Sequence, residues 1–169
     1  MVNELGDLQR AIEKYAKLES AIENALKNEV AEVVKGALAQ AAIEEVYDTY
    51  TPEFLSRRDP VHGGGIAGRT GGGITDTRMM HVEAVGNMLT VSDDAPYQQL
   101  WGGTRPTTPR LAEAIATGDP RFHMENAGPR PFHEKAKRKV IDSGDAEKAL
   151  IAGLKRQGFD VTGLEFEFT

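Results

Sequence analysis

Apolar residues recur at steps of three and four through the first part of the chain: Leu5, Leu8, Ile12, Tyr15, Leu18, Ile22, Leu26, Val30, Val33, Ala37 and Ala41. That spacing lays a single apolar stripe along an α-helix. No proline interrupts residues 3–50, and only Gly6 and Gly36 depart from good helix formers. Strict heptads fail, because counting sevens from Leu5 reaches Glu19 and the companion series reaches Glu29. A long parallel coiled coil is therefore disfavoured. Ser20 followed by Glu23 fits a capping box, so the segment reads either as one helix or as two in succession. Taken as one, it spans about 70 Å at the usual rise per residue. That is longer than a domain of this size is wide, so part of the stripe needs cover from another subunit or a partner.

Thr51-Pro52 ends the helix, since proline lacks the amide donor and pushes its predecessor out of the α region. Residues 56–78 carry seven glycines and four arginines with little apolar surface, which predicts a flexible loop. Past it, His81, Glu83 and Val85 alternate with Met80, Val82 and Ala84. Gly86-Asn87 reads as a two-residue turn, and Leu89 to Val91 as the return strand of a hairpin. A short helix over LAEAIATGD is expected to end at Gly118, and another runs from Phe132 to Ile141. Ser143-Gly144 breaks that helix, Asp145 offers an N-cap for the next, and Gly158 offers a C-terminal cap. Leu164, Phe166 and Phe168 alternate with Glu165 and Glu167, the pattern of a half-buried strand. The expected fold is α+β in a single domain over 1–169. It comprises a long N-terminal amphipathic helix over 3–50, the Gly/Arg loop over 56–78, and a core over 79–169. That core holds a small antiparallel sheet with C-terminal helices packed on it.

Immediately before the Phe132 helix stands Gly128-Pro129-Arg130-Pro131-Phe132. The two prolines fix φ near −65°, and Arg130, preceding a proline, is held extended. Burial of Phe132 would anchor the helix start with about 1.5–3 kcal/mol. The segment reads either as a stiff, angled joint serving a subunit interface or as an ordinary turn before a helix.

The composition narrows the chemistry. The chain has 169 residues, no cysteine, a net charge of −6 and a pI near 5.3. Disulfides and thiolate metal sites are excluded, and tight non-specific binding to nucleic acid by the whole chain is disfavoured. The first ten residues are acidic without an apolar run, unlike a signal peptide, and no stretch has the length of a membrane span. His62-Gly63-Gly64-Gly65 is similar to the oxyanion loop of esterases, but no G-x-S-x-G elbow accompanies it. The glycine runs lack a following Gly-Lys-Ser/Thr, so no phosphate-binding loop is supported. His62, His81, His123 and His133 have no metal-ligand spacing. No catalytic, cofactor or metal site is expected. Candidate interface residues are Arg57, Arg58, His62, Arg69, Arg78 and Trp101. Lys135, Lys137, Arg138 and Lys139 form one basic cluster, either a solvated face or a subunit contact pairing with acidic surface such as Glu44-Glu45.

The order of these features resembles the tail-component, or neck, proteins of long-tailed bacteriophages and prophages. A long helix runs into VYDTYTP, followed by an Arg/Gly loop, a hairpin, APYQQLWGG, LAEAIATGD, and GPRPF opening a helix. The resemblance covers roughly residues 25–160, and Tyr47 to Pro52, Leu111 to Asp119 and Gly128 to Phe132 are its most specific pieces. It implies a non-enzymatic virion protein, made in the bacterial cytoplasm, that joins the DNA-filled head to the tail. Implied partners are further copies in a hexameric or dodecameric ring, the head-closing connector, and the tail terminator or tail tube. DNA would pass through the lumen without specific binding. Alternatives are a tail terminator ring and a phage-encoded protein that binds or inhibits a host factor.

Overall fold

The computed structural model describes residues 2–48, 74–94, 111–118, 129–163 and 166–168. One helical rod runs through the first of these segments. It comprises α1 (Val2–Ala25), a π-helical turn (Leu26–Val30), α2 (Ala31–Ala42) and a second π-helical turn (Ile43–Tyr47). Ala25, Val30 and Ala42 at the junctions keep α-region dihedrals, so the rod is continuous and Ser20 opens no second helix.

The π turns change which residues face inward. The stripe read from spacing continues beyond Val30 through Val33, Ala37 and Ala41. In the structure Ala37 and Ala41 do face inward, but Val34 packs on the core in place of Val33, and Leu38, Ala42 and Val46 join it. A π turn bonds five residues back rather than four and so inserts one residue into the turn. The inward face beyond Val30 thereby takes in Val34, Leu38 and Ala42 beside Ala37 and Ala41. Leu26, Val30, Val34, Leu38, Ala42 and Val46 now recur every fourth position. In an unbroken α-helix that spacing would drift about 40° per step. The wider π turns hold the row against the body.

The body is built around the second half of the rod. β1 (Met80–Val85) and β2 (Met88–Asp93) form a two-stranded antiparallel hairpin, with Met80 opposite Asp93 and Val85 opposite Met88. Gly86 takes φ 59°, the left-handed conformation that the tight hairpin turn requires. Such a hairpin is marginal alone. Here Met80, Val82 and Ala84 turn toward the rod while His81, Glu83 and Val85 turn outward. The Glu23 carboxylate accepts the Gly86 amide, pinning the turn to α1. Residues 74–78, read from sequence as the end of the flexible loop, are part of the packed structure. Ile74 is fully buried, and Thr77–Met79 form a 3₁₀ turn capped by Asp76.

α3 (Leu111–Thr117) ends at Gly118 as the sequence predicts. α4 (Phe132–Ser143) packs along α2, and α5 (Asp145–Arg156) packs on the first π turn and the end of α1. Asp145 is the first residue of α5 rather than its N-cap. Gly144 (φ 66°) holds the cap position, and the Ser143 hydroxyl accepts the Asp145 amide. At the other end the Gly158 amide bonds to the Lys155 carbonyl and the Phe159 amide to the Leu154 carbonyl. This is a Schellman closure with Gly158 at φ 85°. Two apolar clusters result. One joins Leu38, Ala42, Val46, Ile74, Met80, Ile115 and Phe132, the other Ala25, Leu26, Val30, Val140, Leu150 and Leu154. In the tail, Phe166 and Phe168 lie half-buried on the second cluster around an exposed Glu167. Residues 166–168 form no strand, although the expected half-burial holds for Phe166 and Phe168; Leu164 and Glu165 lie outside the described residues. The α+β class expected from sequence holds: a mostly helical molecule with one small antiparallel sheet and C-terminal helices against it.

Candidate functional site

Two regions of the rod stand out. The first is its free end. Residues 7–17 are exposed on every face, and the apolar stripe there is bare: Leu8 is 58% exposed, Ile12 60% and Tyr15 73%. Packing begins at Leu18 and is complete only from Ala21. Around the bare stripe, Asp7, Arg10, Glu13, Lys14 and Lys17 keep the other faces polar. Over these residues about 17 Å of helix thus stands clear of the body. An isolated helix this short is marginal in water, so the tip depends on continuity with the anchored half.

The second region is the junction of the rod's far end with α3 and α4. The Pro131 dihedrals, φ −77° and ψ 57°, and the hydrogen bond from the Phe132 amide to the Arg130 carbonyl (2.8 Å) define an inverse γ-turn. The Arg130 amide donates to the Ile115 carbonyl at the end of α3 (3.2 Å), and its guanidinium donates to the Val46 carbonyl on the second π turn (3.1 Å). Phe132, 1% exposed, fills the cluster below. His133 stacks on it with ring centroids 4.0 Å apart, and burial lowers the imidazole pKa. Pro129 is exposed, and Gly128 lies outside the described residues. The Pro-Arg-Pro-Phe segment therefore braces three elements of one chain.

Charge reinforces the same junction. The Lys135 ammonium lies 3.0 Å from Glu44 and 2.6 Å from Glu45, and Lys139 lies 3.4 Å from Glu44. The Glu44 pKa falls from 4.5 to about 2. The hydrogen bond from Gln40 is the main cause, followed by those from Lys135 and Lys139. Glu45 and Glu44 together raise the Lys135 pKa. Glu44-Glu45, considered from sequence as a subunit contact for the basic cluster, pair with Lys135 and Lys139 of their own chain. Lys137 and Arg138 remain exposed on the outer face of α4.

Of the candidate interface residues, Arg78 is exposed but engaged. Its guanidinium forms two hydrogen bonds to Asp76, 2.9 and 2.7 Å long, which raise its pKa. Arg57, Arg58, His62, Arg69 and Trp101 lie outside the described residues, as does His123. His81 is exposed on the outer face of the hairpin. Among the described residues no group of three or more His, Asp or Glu could hold a metal ion, and no helix is long and apolar enough to cross a membrane. Sequence reading missed the Arg130 to Val46 bond and the Glu23 to Gly86 bond. Partners 84 and 63 residues apart carry no local signal.

A family model described as YomN matches residues 4–156, nearly the whole chain. The chain belongs to the YomN family. YomN is the name of a Bacillus prophage-encoded protein, and this YomN-family chain is accordingly phage-associated. No curated protein and no solved structure matches it. The matched span includes most of the bare tip as well as the body, so the projecting helix is part of what the family model describes.

Proposed function

We propose that this YomN-family chain is a non-enzymatic structural protein of the phage neck or tail-completion region. In this reading it is made in the bacterial cytoplasm and built into the virion, where copies form a ring joining the DNA-filled head to the tail. Its neighbours are further copies of itself, the head-closing connector on one side, and the tail terminator or tube on the other. The observation that carries the reading is the bare stripe of Leu8, Ile12 and Tyr15 on a helix that stands clear of its own body. Exposed apolar surface concentrated in one stripe marks an association surface. Subunits that close into rings need heterologous contacts held at a fixed angle. The braced junction at Arg130 and Phe132 supplies such rigidity. A net charge of −6 suits a lumen through which DNA slides, since a basic channel would retain it.

Light scattering tests the central claim: the purified full chain self-associates, or does so when its assembly partner is added. A strict monomer forming a 1:1 complex with a host protein would instead favour a phage-encoded binding protein that docks through the same helix.

A further inference from the structure

Gly36 and Gly153 both sit inside helices, where glycine is costly relative to alanine. The fold accounts for one of them. A Cβ at Gly153 would stand 2.7 Å from the Ala25 Cβ and 2.8 Å from Glu29 Oε2, so α5 can approach the rod only without a side chain there. A Cβ at Gly36 would meet nothing within 4 Å. No packing inside the molecule requires a glycine at that position. What its missing side chain does is deepen a surface groove between α2 and α4. The groove has an apolar floor of Val33, Gly36, Ala37 and Val140 and is edged by Gln40, Lys139, Ser143 and Asp145, whose carboxylate is paired with Lys148.

We propose that this groove is the seat for the projecting rod tip of a second copy of the chain. The proposal rests on the ring reading above and names the surface through which neighbouring copies meet. Among the described residues, nothing covers the narrow ridge of Leu8, Ile12 and Tyr15 on the tip, and nothing occupies the apolar trough of the groove. A helix ridge seats most closely where the facing helix carries no side chain. The charges agree. Glu19 lies one heptad beyond Ile12, in line with the ridge; it is exposed and makes no ion pair with any described residue. On the groove edge the Lys139 side chain is 48% exposed and its ammonium touches Glu44 at 3.4 Å, leaving donors free for a second carboxylate. Tip and groove are different surfaces of one molecule, so their contact is head-to-tail and propagates from copy to copy until a ring closes.

A mixing experiment with full-length protein, read by light scattering, tests this. Ile12→Glu spoils the tip and leaves the groove intact. Gly36→Leu fills the groove and leaves the tip intact, and it fits the monomer because open space faces Gly36. Circular dichroism checks that each variant is folded. Wild type is expected to assemble beyond the dimer and each variant alone to be a monomer. An equimolar mixture should double the monomer mass, because one good tip meets one good groove. A Gly36→Leu protein that assembles like wild type overturns the groove and leaves the ring reading standing, as does a mixture that stays monomeric. Wild type that stays monomeric at every concentration, alone and with its assembly partners, sinks both. Exchanging the charges, Glu19→Lys with Lys139→Glu, should restore assembly that either change alone reduces. Failure of the double variant to recover removes that ion pair from the contact.

Discussion

Single residues divide into those whose environment demands them and those it leaves unexplained. Gly153→Ala drives a methyl group against the Ala25 side chain and the Glu29 carboxylate, both fixed on the rod. Overpacking of this kind costs about 1–3 kcal/mol, seen as a lower urea midpoint. Gly36→Ala meets open space and removes a helix-interior glycine, so it should raise stability by up to about 1 kcal/mol. The opposite signs of the two substitutions are the check. Ionisation adds a pH dependence in two windows. Glu44 is held at about 2 by Gln40, Lys135 and Lys139. Its contribution is fully present above pH 4.5 and is lost as pH falls from there toward 2. His133 is pushed down by burial, so the unfolded chain takes up a proton first, and stability declines as pH drops below 6.5. Urea midpoints measured against pH should therefore fall in both ranges, with Glu44→Gln flattening the lower one and His133→Phe the upper.

At the scale of elements, the rod is two things in one helix. From Ala21 onward it is the central support of both apolar clusters; before Leu18 it touches almost nothing. Removing residues 1–17 should accordingly leave the unfolding free energy from urea titration within about 0.5 kcal/mol of the parent and reduce the helical dichroism by the lost segment. The same truncation should abolish self-association. A large loss of stability would mean that the tip packs against its own body. The helical stripe was legible because side chains three and four apart share a face wherever the ladder is regular. The π turn at Leu26–Val30 was not, since nothing in LKNEV marks an inserted residue, and so Val33 was read as inward where Val34 is. The short helix over 111–117 and the turn at Gly86 were readable for local reasons: each ends or bends at a glycine with positive φ. The aromatic alternation of the tail was misread as a strand, because burial every second residue arises equally from a segment lying across helices.

At the scale of the whole molecule, the structure reassigns the electrostatic contacts. Glu44 and Glu45 could have faced a neighbouring copy, and they face Lys135 and Lys139 of the same chain instead. The proposed self-association therefore relies on other surfaces, the tip and the groove among them. The arginine/glycine segment enters here as well. Deleting residues 61–73, which spares the buried Ile74, should leave the body folded by circular dichroism yet block the joining of heads to tails, scored as free heads and tails by electron microscopy. Normal virions would remove the segment from the assembly role. By itself the sequence determined what depends on neighbours along the chain: the long helix, the hairpin, the closing glycines at 118 and 158, and a helix too long for one globule to cover. Only the tertiary structure decided where the π turns re-aim the rod, that Arg130 ties three elements together, and that the basic helix pairs within its own chain. Those outcomes turn on contacts between residues many positions apart. Their energies are set by geometry after folding, and residue order alone does not specify whether such a partner is on the same chain or the next.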